Sequence, residues 1–149
     1  MIDSEQAANA PKLQPFEGMW LATKPSGAVV CAKEINGRLL IPYSFSEEKK
    51  LVGHCYGCRV IGKTLFCRFE HFDSAVAGVL FLTVGPNETL KGGRWLSKHI
   101  SKVVQQDISC LSESMPNMQP VVWIRMLRKE TPHWAEKYFL EDWPNKYSG

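Results

Sequence analysis

The residues most suited to chemistry are four side chains of types that commonly bind metal ions. Cys55 and Cys58 have the Cys-x2-Cys spacing of structural zinc sites, and Cys67 and His71 follow them. The stretch reads as a strand, on which residues three apart point to opposite faces and cannot reach one ion. A break in the strand at residues 56–57 would remove this obstacle. The alternation favours buried thiols instead, and we predict no metal site and no cofactor.

A second group has the side-chain types used in acid–base catalysis: Tyr43, His54, Arg68, Glu70 and His71. A carboxylate and a tyrosine held together in an apolar cavity would have pKa values shifted towards those needed for proton transfer. Arg68 and Glu70, however, lie on one face of their strand, and Leu65, Cys67 and Phe69 lie on the other. The apolar face belongs in the core, so both charged residues are expected at the surface. We therefore predict no catalytic residues.

Aromatic side chains form the third group. The chain has five Trp, seven Phe and four Tyr, and many of them fall in predicted strands. Such rings either fill a core or line a pocket for a flat or apolar molecule. We predict that six of them line a ligand site: Tyr43, Phe45, Phe69, Phe81, Trp95 and Trp123.

The elements that must position these side chains are short apolar runs separated by turn signals. Asn36-Gly37 between the runs 28–35 and 38–45 is a strong signal for a two-residue hairpin. Even spacing without intervening helices predicts an antiparallel meander or barrel. The other predicted strands are residues 16–23, 51–60, 65–72, 77–84, 89–96 and 121–128.

Several features of the later chain carry their own expectations. Residues 77–84 are apolar on both faces, which predicts the most buried strand. Gly92-Gly93 predicts a bulge or a sharp bend. A helix is expected from Ser97 to Gln106, followed by a loop, 107–119, whose two methionines would make an adaptable lid. A last helix begins at Thr131-Pro132.

Eight strands in a meander, the Gly18-x-Trp20 motif in the first strand and a helix near the C-terminus together resemble the calycins, the superfamily of lipocalins and avidins. The segment 90–96 (LKGGRWL) is also similar to strand ends of avidin-like barrels. The resemblance implies that Trp20 closes one barrel end beneath a late arginine, Arg125 or Arg128. Arg125 is preferred because it shares a strand face with Trp123. The resemblance also implies that an enzyme is possible, since phenolic acid decarboxylases have calycin-like barrels.

Composition excludes several classes of function. The formal charge of +3 comes from 18 basic and 15 acidic residues that are dispersed along the chain, which argues against a nucleic-acid partner. No apolar run approaches the roughly 18–20 residues of a membrane span. Residues 1–12 are polar and acidic, unlike a secretory signal. The five cysteines make a poor disulfide framework. We therefore predict a cytoplasmic protein with no membrane partner.

Together these patterns predict one mainly β domain over residues 16–149, an antiparallel barrel of about eight strands with a C-terminal helix, preceded by a flexible arm at 1–15. The alternative fold is an α+β open sheet curved around the helix. The predicted function is binding of a small apolar or aromatic molecule without catalysis. Two alternatives remain open: a cavity enzyme of the decarboxylase or isomerase type, and a homo-oligomeric interaction module such as a homodimer.

Overall fold

Eight antiparallel strands form a closed barrel in which neighbours in sequence are neighbours in space and the last strand pairs with the first. The computed structural model describes residues 12–45 and 51–127. The strands are β1 (Gly18–Lys24), β2 (Ser26–Ile35), β3 (Arg38–Phe45), β4 (Gly53–Ile61), β5 (Thr64–His71), β6 (Ala77–Val84), β7 (Thr89–Leu96) and β8 (Gln119–Arg125). The predicted meander barrel is confirmed, and the open-sheet alternative is wrong. The predicted helix at residue 131 lies outside the described residues.

The hairpin signal acts as predicted. Asn36 and Gly37 have φ values of 54° and 80°, as a type I′ turn requires at both central residues. Ile35 and Arg38 pair directly across this turn. The bounds of β3, β6 and β7 match the prediction, and those of the other five strands differ by at most three residues at either end.

Side chains alternate between the barrel interior and its outer wall. Leu39 and Ile41 of β3 belong to the inner core, as do Leu80 and Leu82 of β6. The alternate residues of β6 are also buried, on the outside of the barrel. This strand is therefore apolar and buried on both faces, as its composition predicts.

The segment 97–118 covers the outer faces of β5, β6 and β7. It contains a 3-10 turn at Ser97–His99, the short helix α1 (Lys102–Gln106) and a second 3-10 turn at Ile108–Cys110. The predicted helix from Ser97 is wrong in its start, because Ser101 caps α1 by accepting a hydrogen bond from the Val104 N–H at 3.3 Å.

The two methionines of this segment do not form a lid. Met115 and Met118 pack against an outer cluster that includes Phe81 and Trp95. The Trp95 indole N–H donates to the Pro116 carbonyl oxygen at 2.9 Å, which holds this part of the segment to the wall. The prediction that these methionines form an adaptable lid is therefore wrong, because the outer wall offers an apolar surface against which they pack.

The glycine pair of β7 does not produce a bulge. Gly92 and Gly93 pair with Leu82 and Phe81 in a continuous register. A Cβ at Gly92 would overlap the Phe81 carbonyl oxygen, so the glycine permits a close approach of two strands. The register shifts recorded among the described residues lie in β1 and in β4.

One end of the barrel is closed by Trp20, whose side chain is 1% exposed. Its indole N–H donates to the Phe16 carbonyl oxygen at 2.9 Å. The Arg125 guanidinium carbon lies 4.3 Å from the centroid of the Trp20 ring, within the range of a cation–π contact. This confirms that Trp20 is buried beneath Arg125 at a barrel end.

Residues 12–16 pack at this closed end. Gln14–Phe16 form a 3-10 turn, and Leu13 and Phe16 belong to the inner core with exposed fractions of 5% and 1%. The sequence prediction placed residues 12–15 in the N-terminal arm, whereas Leu13 packs with the barrel. The rest of the arm lies outside the described residues.

Candidate functional site

The half of the barrel away from the closed end contains a cavity of about 360 Å³. All eight strands contribute to its lining, which is mostly apolar and includes Ala28, Val30, Leu80 and Val121. The shape follows from strand number, since a barrel of eight strands has an interior just large enough to hold one small ligand when side chains leave it unfilled. This cavity is the candidate functional site.

The structure brings four of the six predicted aromatic residues to the cavity: Tyr43, Phe45, Phe69 and Trp123. It does not bring Phe81 and Trp95 there. Their rings stack on the outer wall with centroids 5.9 Å apart, beneath the segment 97–118. The assignment of these two residues to the site was therefore wrong. Both faces of β6 are apolar, so hydrophobic alternation alone does not identify the inner face.

Few polar side chains line the cavity: Ser26, Tyr43, His71, Arg94 and Gln119. The Tyr43 hydroxyl donates to the Glu70 carbonyl oxygen at 3.1 Å, and burial raises the pKa of this phenol well above its ordinary value. The rings of Tyr43 and His71 meet edge to face with centroids 5.7 Å apart. Burial, and secondarily the charge of Arg94, lowers the pKa of His71.

Arg94 also lines the cavity, and the sequence analysis did not include it among the site residues. Its Nε–H donates to Gln119 Oε1 at 2.9 Å, and its guanidinium carbon lies 5.8 Å from the centroid of the Phe69 ring. Burial lowers the pKa of the guanidinium. A signal was present, because Arg94 shares strand parity with Leu90 of the inner core. Because consecutive residues of a strand point to opposite faces, the prediction that Trp95 faces the interior also placed Arg94 on the outer wall.

The predicted acid–base group is divided between the two sides of the barrel wall. Tyr43 and His71 face the cavity. Glu70 lies outside, where its Oε1 is 2.9 Å from His54 Nε2 and its side chain is 46% exposed. Arg68 donates to the Gln105 carbonyl oxygen of the covering segment. The outward position of Arg68 and Glu70 agrees with the alternation of β5.

Three of the four potential metal ligands come together. Cys55 and Cys67 belong to the inner core, and Cys58 packs against it. Hydrogen bonds to Cys55 and Cys58, together with burial, raise the pKa of the Cys67 thiol. The prediction that Cys55 and Cys58 point to opposite faces of β4 was therefore wrong.

The reason is a register shift in β4 between Tyr56 and Arg59, with Gly57 at a φ of 63°. This shift resets the alternation, so residues three apart on the strand reach the same side. Even so, no group of three or more His, Cys, Asp or Glu side chains in residues 12–45 and 51–127 has an arrangement that would hold a metal ion.

Comparison with known proteins leaves the function to be argued from this geometry. No family model, curated protein or solved structure matches the chain. Among the residues that the structure describes, none of the helices has the length and hydropathy needed to cross a membrane.

Proposed function

We propose that the barrel binds a small apolar or aromatic molecule in its cavity and does not change it chemically. The observation that carries the proposal is the cavity of about 360 Å³ itself. Ligand sites commonly occupy roughly 300–1,000 Å³ and are lined by apolar and aromatic side chains with a few polar groups that orient the ligand. The lining has this composition, with Tyr43, Phe69 and Trp123 as its aromatic walls.

The alternative functions receive less support from the same residues. The cavity enzyme requires an ionisable group inside the barrel, so the directions of Glu70, Tyr43 and His54 discriminate it from simple binding. Glu70 and His54 lie on the outer wall. Tyr43 faces the cavity, where burial raises the pKa of its phenol and favours the neutral form. The interaction module required a filled barrel, whereas the cavity is lined by residues of every strand. No Asp or Glu of the described residues lines the cavity beside Tyr43, so simple binding has more support than catalysis.

Two further parts of the proposal have indirect support. A relationship to the calycins is supported by the closed end, where Trp20 of the Gly-x-Trp motif lies under Arg125. A cytoplasmic location is supported by the five cysteines, all of which are free thiols.

The test uses N-phenyl-1-naphthylamine, a neutral apolar probe whose fluorescence increases in an apolar site. We expect saturable binding to the wild-type protein. Ala28→Phe adds a ring at the cavity wall and should weaken binding at least about tenfold, because the added ring occupies the ligand volume. The matched control is Leu21→Phe, on the outer wall with 39% of the residue exposed, which should leave the affinity unchanged.

Two results would reject the proposal. The first is a wild-type protein that binds neither this probe nor the smaller naphthalene-1-carboxamide. The second is equal loss of affinity in Ala28→Phe and Leu21→Phe, with both variants retaining the wild-type melting temperature.

A further inference from the structure

We propose that the ligand of this cavity is an apolar or aromatic carboxylate whose anionic group binds Arg94. This inference rests on the proposed binding function and adds to it the chemical class of the ligand.

The first step is the position of the guanidinium. Arg94 lies on the inner face of β7, the same face as Leu90, and lines the cavity. Gln119 accepts a hydrogen bond from its Nε, and the face of Phe69 supports it from one side. These contacts hold the side chain in one orientation. Its two terminal amino groups have no hydrogen-bond acceptor among the described residues.

The second step is the charge of the surroundings. Neither Asp nor Glu occurs among the described residues that line the cavity. Glu70 precedes the cavity-lining His71 in the sequence, but its side chain points outward and contacts His54. Arg94 is half-buried, so its guanidinium loses part of its hydration at the cavity wall without gaining a counter-charge. An anionic ligand would supply the missing partner. A cationic ligand would be repelled, and a neutral one would leave the charge uncompensated.

The third step is a comparison with the other arginine inside the barrel. Arg125 at the closed end pairs with the Glu88 carboxylate and donates to the backbone carbonyl oxygens of Glu17 and Pro15. The protein itself therefore satisfies Arg125 and makes it a structural residue. Among the described residues, Arg94 has the neutral Gln119 as its hydrogen-bond partner and no carboxylate paired with it. We therefore infer that the acceptor for the Arg94 guanidinium comes from a bound ligand.

The fourth step is the shape of the site around the cation. Phe69, Phe45 and Trp123 offer apolar surface on the cavity wall that Arg94 shares. A guanidinium binds a carboxylate through two parallel hydrogen bonds, so a planar acid with an apolar body would satisfy both parts of the site at once. The Tyr43 hydroxyl already donates to a backbone carbonyl, which leaves Arg94 as the main anchor.

Isothermal titration with a matched pair of probes tests the inference. Naphthalene-1-carboxylate and naphthalene-1-carboxamide have the same apolar body and differ in charge. We expect the wild-type protein to bind the carboxylate at least about tenfold more tightly, as a charge-assisted hydrogen bond would produce. Arg94→Met should abolish this preference and leave the affinity for the amide within about twofold.

Two further variants serve as controls. Arg94→Lys keeps the charge without the planar fork and should retain part of the preference. Arg38→Met makes the same substitution at an exposed arginine near the closed end and should retain all of it. Melting temperatures establish that each variant folds. If Arg94→Met does not fold, the preference of Arg94→Lys for the carboxylate over the amide tests the inference instead.

The outcomes separate the two proposals. If the wild-type protein binds the amide as tightly as the carboxylate, or if Arg94→Met and Arg94→Lys both keep the full preference, the anionic ligand is wrong and the binding function stands. If only N-phenyl-1-naphthylamine binds, the anionic ligand is wrong and the binding function stands. If that probe, the carboxylate and the amide all fail to bind, the binding function is wrong and this inference falls with it.

Discussion

At the scale of single residues, the closed end shows why a glycine and a tryptophan are spaced two apart. Gly18 has a φ of 126°, which disfavours any residue with a side chain. A Cβ at this position would also overlap the Arg125 guanidinium. The glycine therefore leaves the space through which Arg125 reaches the Trp20 ring and the Glu17 carbonyl oxygen. The motif and the late arginine act as one packing unit.

Trp20→Ala should lower the free energy of unfolding by about 3–5 kcal/mol, the usual cost of truncating a buried aromatic side chain. The ring is almost fully buried, and its loss also removes the surface on which Arg125 stacks. Chemical denaturation measures the change. The neighbouring Leu21, 39% exposed, is the matched control, and its replacement by Ala should cost less than about 1 kcal/mol. A cost below about 1 kcal/mol for Trp20→Ala would contradict the packing described.

His71 should make the unliganded protein less stable in mild acid. Its pKa is lowered from the ordinary value of 6.5, first by burial and then by Arg94. The unfolded chain therefore binds the proton more tightly, and stability is lost as pH falls through and below 6.5. Tyr43, Arg94 and the Phe45 ring are the described groups that face this imidazole.

Melting temperatures of the wild-type protein and His71→Gln, measured between about pH 7.5 and pH 5.5, test this expectation. The variant should lose less stability than the wild type over that interval. His99→Gln, an exposed histidine in the 3-10 turn, should behave like the wild type. An unchanged pH dependence in His71→Gln would show that this imidazole is not the group responsible.

At the scale of elements, the segment 97–118 packs against the outer wall of the barrel and forms a second hydrophobic core with it. It buries Val79 and Phe81 of β6 and Trp95 of β7 from the outside. The helix α1 has only five residues and depends on this packing, since isolated helices of that length are not stable in water. The element therefore exists because the outer wall is apolar.

Ile108→Ala should destabilise the protein by about 2–5 kcal/mol, because Ile108 is 8% exposed and belongs to this outer core. The matched control in the same segment is Val103→Ala. Val103 is 75% exposed, and its truncation should cost less than about 0.5 kcal/mol. Denaturant titration of both variants distinguishes them. Equal effects would mean that the segment is not packed against the barrel as described.

At the scale of the whole molecule, the barrel is closed at one end and open to a cavity at the other. Between these regions, the β4 register shift brings Cys55, Cys58 and Cys67 together in the wall. Hydrogen bonds to Cys55 and Cys58, followed by burial, raise the pKa of the Cys67 thiol.

Elemental analysis of the purified protein should accordingly find no stoichiometric zinc, and a chelator should leave its melting temperature unchanged. No group of three or more His, Cys, Asp or Glu side chains in the part of the chain that the structure describes has an arrangement that would hold a metal ion, whereas a structural zinc site needs four ligands. One zinc ion per chain, lost together with stability on chelation, would overturn this expectation and assign Cys55, Cys58, Cys67 and His71 as ligands.

The sequence by itself determined the features that depend on local periodicity and turn chemistry. Asn36-Gly37 required a hairpin because both residues accept positive φ. Alternation along β5 placed Cys67 and Phe69 inside. The resemblance to calycins implied an arginine over Trp20, and alternation along β8 favoured Arg125 for that position. The hairpin and the inward faces are encoded by residues adjacent or alternate on one strand, so no distant contact was needed to predict them.

Only the tertiary structure decided the features that depend on which surfaces meet. The apolar faces of β6 are equivalent in sequence, and only the covering segment makes Phe81 an outer residue. The shift in β4 depends on its pairing with β5, and it overturned the separation of Cys55 from Cys58. The cavity beside Arg94 is the volume that eight strands leave unfilled when the barrel closes. Such a volume is a property of packing, which the alternation of a single strand does not encode.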